Sequence, residues 1–285
     1  MLRSAAASAV SSLSSANPAV NLDAYRVPRR PFYQLAGNEA VLFAAAASRR
    51  LPVMLKGPTG CGKSRFVEAM AFDLSRPLIT VACHEDLTAA DLAGRFLLDG
   101  AGTVWTDGPL TTAVRHGAIC YLDEIVEARQ DTAVVIHPLA DNRRILPLDR
   151  NRELIPAHPD FLLVVSYNPG YQSAAKDLKE STKQRFVAID FAYPAPAAEA
   201  DIVARETGID PATATLLVDV AGRTRNLRGR GLGEGASTRM LIHAAGLVTA
   251  GVPLPDALRA AVALPLTDDP DMRDTLDALI AACLP

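Results

Sequence analysis

The residues best suited to chemistry lie in Gly57-Pro58-Thr59-Gly60-Cys61-Gly62-Lys63-Ser64, a complete GxxxxGK[ST]. Glycines at this spacing let backbone N–H groups converge on phosphate oxygens, and a helix starting at the lysine adds its positive end. The Lys63 ammonium reaches the β- and γ-phosphates of a nucleotide, and the Ser64 hydroxyl can ligate Mg²⁺. Cys61 reads as a small tolerated side chain in the loop rather than a nucleophile. Fifty-nine residues beyond Ser64, the apolar run 118–122 ends in Asp123-Glu124. A carboxylate at a strand end can hold Mg²⁺ through its water shell, and the next can orient and polarise an attacking water. An apolar strand ending in Asp-Glu is common by itself. Behind a phosphate loop, in the same sheet pattern, it points to hydrolysis rather than binding alone.

Three polar residues extend the set. Asn168 closes the apolar run 161–167 and can position a lytic water between neighbouring strands. Arg185 stands just before the run 186–191. Arg239 follows Ser237 at the head of a helical stretch, from which it could reach back to the phosphates. Each alone reads as a surface or capping residue. In this order behind Lys63 and Asp123-Glu124, they are better explained together.

Such residues need a sheet to carry them. The runs 53–56, 78–83, 118–122, 161–167 and 186–191 are nearly continuous in apolar character instead of alternating. That is the pattern of strands buried on both faces of a parallel sheet. Between the first two, 64–75 places Phe66, Val67, Met70, Ala71 and Leu74 on one helical face. Five strands with intervening helices predict a covered α/β fold. After Tyr193-Pro194-Ala195-Pro196 the strand signals vanish. Helical stretches follow at 197–206, 211–221, 237–250, 255–263 and 270–282, with starts at Ser237 and Thr267-Asp268-Asp269-Pro270. The expected organisation is a disordered tail over 1–30, an α/β nucleotide-binding domain over 31–192 and a small all-helical lid domain over 193–285. The first 22 residues hold six Ser, six Ala, one Arg and no acid. A stretch that buries so little predicts disorder, and one Arg is thin support for a targeting peptide.

With 285 residues, 49% of them apolar and 21% charged, the chain is too ordinary for collagen, coiled coil or wholesale disorder. It has no run of about 18 apolar residues, so no membrane span is expected. A net charge of −3 gives no electrostatic case for a nucleic-acid partner. Cys61, Cys83, Cys120 and Cys283 show neither a CxxC nor a Cys/His ligand spacing, and the five histidines are scattered. Structural zinc and a disulfide framework are therefore not expected, and a cytoplasmic protein is.

The ordered set resembles the AAA+ ATPases, with Walker A at 57–64, Walker B at 119–124, sensor 1 at Asn168, an arginine finger at Arg185 and sensor 2 at Arg239. Gly108-Pro109-Leu110 and Gly235-Ala236-Ser237-Thr238-Arg239 are similar to the MoxR branch. In that branch 91–108 corresponds to the helix-2 insert hairpin and 148–159 to the pre-sensor-1 hairpin. More narrowly, 56–65, 121–131 and 165–172 resemble the CbbQ/NorQ/NirQ group. Lys176-Asp177-Leu178-Lys179, 181–186, Arg225-Asn226-Leu227 and 267–276 are more similar to its CbbQ members than to its NorQ members. The resemblance runs from about Tyr25 to the C-terminus.

This resemblance implies a Mg²⁺-dependent ATPase in which Gly57, Pro58, Thr59, Gly60, Cys61, Gly62, Lys63, Ser64 and Asp123 hold ATP. Ser64 and Asp123 hold the metal, and Glu124, Asn168, Arg185 and Arg239 are catalytic. It implies a homo-oligomeric ring, a hexamer, with Arg185 acting on the neighbour's γ-phosphate. It also implies an adaptor carrying a von Willebrand A domain, with Rubisco blocked by a tight-binding sugar phosphate as client, and association with carboxysomes. The NorQ and NirQ members imply the alternative, maturation of nitric oxide or nitrite reductase with an analogous partner. A P-loop small-molecule kinase is a second alternative, although a kinase has no use for an arginine just before the last strand. A non-hydrolysing switch is disfavoured by Glu124. Arg223, Arg225, Arg228 and Arg230 read equally well as an interface, a phosphate-facing loop or a solvated loop. Phe96 and Trp105 suit either a substrate-touching hairpin or the packing at its base.

Overall fold

A computed structural model describes residues 20–99, 102–169 and 178–284. In chain order the strands are β1 (Val53–Lys56), β2 (Leu78–Ala82), β3 (Gly94–Asp99), β4 (Gly102–Asp107), β5 (Ile119–Asp123), β6 (Ile145–Leu148), β7 (Glu153–Pro156), β8 (Leu162–Tyr167) and β9 (Val187–Asp190). Five of them form a wholly parallel sheet in the order β2-β5-β8-β1-β9. Parallel neighbours must be joined by crossovers, which place helices on the sheet faces. Successive side chains alternate accordingly. Met54, Cys120, Leu122, Leu163 and Val165 pack on one face against Leu110, Val114 and Leu139. Val53, Leu55, Ile119, Tyr121 and Val164 pack on the other against Phe43, Phe66, Val67 and Met70. The helix Lys63–Asp73 buries Phe66, Val67, Met70 and Ala71, the face expected from their spacing.

The strand ends set up the site. Lys56 pairs with Tyr167 on one side and Asp190 on the other, and Leu122 pairs with Val165. The carboxyl ends of β1, β5 and β8 therefore stop at one level, where open α/β sheets bind their ligands.

Beyond β9 the helices Pro196–Thr207, Pro211–Arg225, Thr238–Thr249 and Pro270–Cys283 enclose a separate core that includes Val203, Leu217, Leu241, Val262 and Leu276. Asp210, Ser237 and Asp269 cap three of these helices by accepting from the N–H three residues on. The stretch expected to be helical over 255–263 is less regular. Leu254–Leu258 widens into a π turn over Arg259–Ala263 before Leu264–Leu266. Pro265, which has no N–H to donate, sits just beyond that wider turn.

Two hairpins form separate two-stranded sheets whose buried residues join the core on one face of the main sheet. β3 and β4 pair antiparallel within the expected 91–108 segment, and the ring of Phe96 lies edge-on to that of Trp105. Trp105 is buried, while Leu97 and Leu98 stay exposed. The second hairpin, β6 with β7, begins three residues before the expected 148–159. Its polar turn at 149–152 is the tip, so the strands flank that turn on both sides instead of following it.

Of the segment expected to be disordered, 1–19 lie outside the described residues, as do 170–172 and 176–177. Residues 20–30 are docked. Leu22–Tyr25 make one 3-10 turn, Arg30 pairs with Asp73 at 2.7 and 2.9 Å, and Arg26 donates to the Ser75 carbonyl at 2.9 Å. The basic hinge finds an acidic side chain and a spare carbonyl at the end of the helix Lys63–Asp73. Among the described residues no helix is long and apolar enough to cross a membrane.

Candidate functional site

The loop after β1 turns back on itself because two of its glycines adopt conformations closed to most residues. Gly60 has φ +67° and Gly62 φ +102°, and a Cβ on Gly60 would lie 2.7 Å from the Ser237 side chain. The loop delivers the N-terminus of Lys63–Asp73, with its positive end, to the mouth of a cleft of about 1280 Å³. One wall of the cleft is the segment 32–39 with Leu42. The other is 188–195 with Ile202, Ile242 and His243. Between Tyr33, Phe66 and Phe191 the rings lie 5.2–5.3 Å apart, giving one end of the cleft an aromatic base.

Lys63 is buried, and its ammonium donates to the Gly57 and Pro58 carbonyls at 2.9 Å and to Asn168 Oδ1 at 2.7 Å. Burial pulls its pKa below the usual lysine value, and the carboxylates of Asp123, Glu124 and Glu234 act against that pull. Asn168 turns its amide nitrogen to Thr59 Oγ1 at 3.1 Å and to Glu124 Oε1 at 3.4 Å. One side chain thus links the phosphate loop, its lysine and the second carboxylate of the pair.

Asp123 is held from two sides. Its Oδ1 accepts from Tyr121 Oη at 2.6 Å and from Ser166 Oγ at 2.5 Å, while Oδ2 faces Ser64 Oγ at 3.4 Å. The Ser64 hydroxyl and the outer oxygen of Asp123 form an all-oxygen pair suited to a small hard cation. Mg²⁺ is commonly held by one or two protein oxygens, with phosphates and waters completing its shell. Glu124 follows with φ 55° and ψ 51°, a left-handed backbone that costs a non-glycine residue about 1–2 kcal/mol. Its N–H donates to Ser166 Oγ at 3.0 Å.

Arg239 lies in the first turn of Thr238–Thr249 and lines the same cleft. Arg185 is elsewhere. It donates to Asp141 Oδ2 at 3.3 Å, and Arg143 holds the same carboxylate at 2.6 Å. The Arg143 guanidinium, with Arg185 beside it, keeps the Asp141 carboxyl down at about 2. Lys63, Ser64, Asp123, Glu124, Asn168 and Arg239 therefore converge within one chain, and Arg185 does not join them.

Residues 52–186 match the AAA domain (dynein-related subfamily), and residues 199–283 match the CbbQ/NirQ/NorQ C-terminal family. Protein CbbQ of Hydrogenophilus thermoluteolus is 64% identical over 254 residues, covering 89% of this chain and 95% of that protein. The chain belongs to the CbbQ/NirQ/NorQ family. It is an AAA+ ATPase of that type, with a nucleotide-binding fold. Protein NorQ of Paracoccus denitrificans is 60% identical over 252 residues, covering 88% of this chain and 93% of that protein. The denitrification regulatory protein NirQ of Stutzerimonas stutzeri is 56% identical over 243 residues, covering 85% and 88%. Among solved structures, a mutant RuvB of Thermotoga maritima superposes with a TM-score of 0.54 at 15% identity, over 88% of this chain and 73% of that one. That likeness concerns the fold alone.

Several contacts around this family member's site could not be read from the sequence. Thr59 is a crossroads. Its hydroxyl donates to Glu234 at 3.1 Å, and its carbonyl accepts from Tyr193 Oη at 3.1 Å. The Tyr193 ring in turn carries the Arg225 guanidinium 3.8 Å from its centroid. Arg225 forks onto the buried Glu199 with two bonds of 2.7 Å, and Thr238 Oγ1 gives Glu199 a third at 2.6 Å. Arg225 is thus neither phosphate-facing nor solvated. It braces the helical region against the phosphate loop. Arg223 pairs with Asp219 on its own helix. Nothing in the spacing of Glu199, Arg225 and Glu234 announces these contacts. Tyr121 and Ser166 did leave a signal, being hydroxyls in otherwise apolar strands.

Proposed function

We propose that the cleft binds ATP with Mg²⁺ and hydrolyses it, and that a ring of this chain uses the cycle to remodel a protein client. The observation that carries the hydrolytic reading is the Asn168 bridge, which joins Lys63 at 2.7 Å to Glu124 at 3.4 Å on the rim of the phosphate loop. In this reading Lys63 and Arg239 offset charge developing on the γ-phosphoryl oxygens. Glu124 accepts a hydrogen bond from the attacking water and takes its proton as the water oxygen bonds to the γ-phosphorus and the bond from that phosphorus to the bridging oxygen breaks, releasing ADP, with Asn168 fixing the Glu124 carboxylate. Ser64 and Asp123 hold the Mg²⁺, which when bound screens the phosphate oxygens. Residues 31–192 act as the nucleotide-binding domain and 193–285 as its lid. The contacts from Glu234 and Tyr193 to Thr59 support that division of labour.

Arg185 completes the site from a neighbour. Its own site is already furnished, and its Asp141 contact keeps it apart from the phosphate loop. That arrangement supports a ring, a hexamer in our reading, in which each cleft is finished by the next subunit.

The client we propose is Rubisco blocked by a tight-binding sugar phosphate, reached through a von Willebrand A-domain adaptor in the cytoplasm. The support is the 64% identity to a protein named CbbQ, together with the CbbQ-like Arg225-Asn226-Leu227. The second reading, maturation of nitric oxide or nitrite reductase, is favoured by 60% identity to a NorQ. The deciding assay measures carboxylase recovery from inhibited Rubisco with this protein, the adaptor and ATP, beside a Lys63→Ala control. Recovery with the wild type alone supports the proposal. Equal recovery with the control, or activation only of nitric oxide reductase, overturns it.

A further inference from the structure

The strand β8 reads Leu-Leu-Val-Val-Ser-Tyr, and every one of its residues is buried. Ser166 is wholly enclosed at a position in a central strand where an aliphatic side chain would ordinarily pack. A hydroxyl there is costly unless both its hydrogen and its lone pairs are used. Both are used, and on the same two residues. Ser166 Oγ donates to Asp123 Oδ1 at 2.5 Å and accepts from the Glu124 N–H at 3.0 Å. The first bond occupies the inner oxygen of Asp123 and leaves Oδ2 toward Ser64. The second pins the backbone of Glu124 in its left-handed turn. Period two explains the geometry. Asp123 and Tyr121 lie on one face of β5, and Ser166, in step with Leu162 and Val164, lies on the same face of the adjacent β8.

We infer that Ser166 is a positioning residue that fixes the metal-facing oxygen of Asp123 and the backbone of Glu124 relative to each other, so that one hydroxyl sets both halves of the hydrolytic pair. The inference rests on the reading of Asp123 and Glu124 proposed above. Tyr121 shares the inner oxygen of Asp123, but among the described residues Ser166 is the one whose side chain bonds both Asp123 and Glu124.

The test compares wild type, Ser166→Ala and Ser166→Thr in the full-length protein. Nucleotide affinity is read with a fluorescent ATP analogue in EDTA and in Mg²⁺, and steady-state turnover is measured beside it. Removing such an outer partner of a metal-binding residue typically costs about 10–100-fold in metal affinity or activity. Ser166→Ala is expected to bind the analogue in EDTA as wild type does. The gain in affinity on adding Mg²⁺ should shrink about tenfold or more, and kcat should fall by a similar factor with little change in KM. Ser166→Thr, which keeps the hydroxyl, should restore both. An undiminished Mg²⁺ gain in Ser166→Ala overturns the inference. So does an equal loss of affinity in EDTA, which would mark general damage to the cleft, or a Thr variant as impaired as Ala. If the wild type fails to turn ATP over, the functional proposal fails, while the Mg²⁺ comparison still decides the role of Ser166.

Discussion

Replacing Arg225 by Met tests how the helical region is fastened. The Glu199 carboxylate has no exposed surface, and it is held by two bonds from Arg225 and one from Thr238. Arg225→Met keeps most of the side-chain volume but leaves a buried carboxylate with a single neutral donor. Stranding one member of a buried pair costs about 3–5 kcal/mol. Losing the stack on Tyr193 adds about 0.5–2 kcal/mol. For a chain of this length each kcal/mol moves the melting midpoint by roughly 2–4 °C, so the pair term alone predicts a drop of about 6–20 °C. Thermal unfolding followed by circular dichroism reads the shift. The double variant Arg225→Met/Glu199→Leu removes the orphaned charge and should recover most of the loss, because apolar replacement of a whole buried pair is often close to neutral. A single variant costing under about 1 kcal/mol would refute the reasoning. So would a double variant as unstable as the sum of its parts.

Lys63→Ala should weaken ATP binding strongly, since it removes the cation from the loop and leaves the Gly57 and Pro58 carbonyls without their donor; titration calorimetry checks it. Mixing Arg185→Ala subunits with Lys63→Ala subunits should restore hydrolysis above the sum of the two preparations, because a finger supplied in trans is worth about 10³–10⁵ in rate. Arg115 bridges Asp107 on the first hairpin, at 2.9 Å, to Glu153 on the second, at 2.6 and 2.8 Å. Arg115→Ala should therefore raise amide exchange in both hairpins together while ATP affinity stays unchanged.

All five strands of the sheet were legible because their apolar runs are continuous, and β1 falls on 53–56 as read. The helix Glu39–Ser48 was not read. Its Ala-rich sequence has no polar face, and it is held by Phe43, Ala46 and Ala47 and by Glu39, which accepts from the Ala36 and Gly37 N–H groups. Neither feature shows in a periodic pattern. The loop between β1 and the helix Lys63–Asp73 and the Asp-Glu step at the end of β5 could be placed from spacing, since each is a local run of sequence. The Asn168 bridge and the Glu199–Arg225 brace join residues 105 and 26 positions apart. Which partner such a side chain finds is decided by tertiary packing, so Arg225 could not be separated from its neighbours Arg223 and Arg228 beforehand.

The claim that this cleft is a hydrolytic site with Glu124 as its base is tested most directly by Glu124→Gln. The substitution keeps the size of the side chain and can still accept from the Asn168 amide, but it cannot take a proton from water. ATP affinity and phosphate release should be measured on the same preparation in Mg²⁺. The account predicts wild-type affinity with turnover lowered by about 10²–10⁴, the usual contribution of a positioned general base. A Glu124→Gln protein that binds ATP and hydrolyses it at the wild-type rate would contradict it.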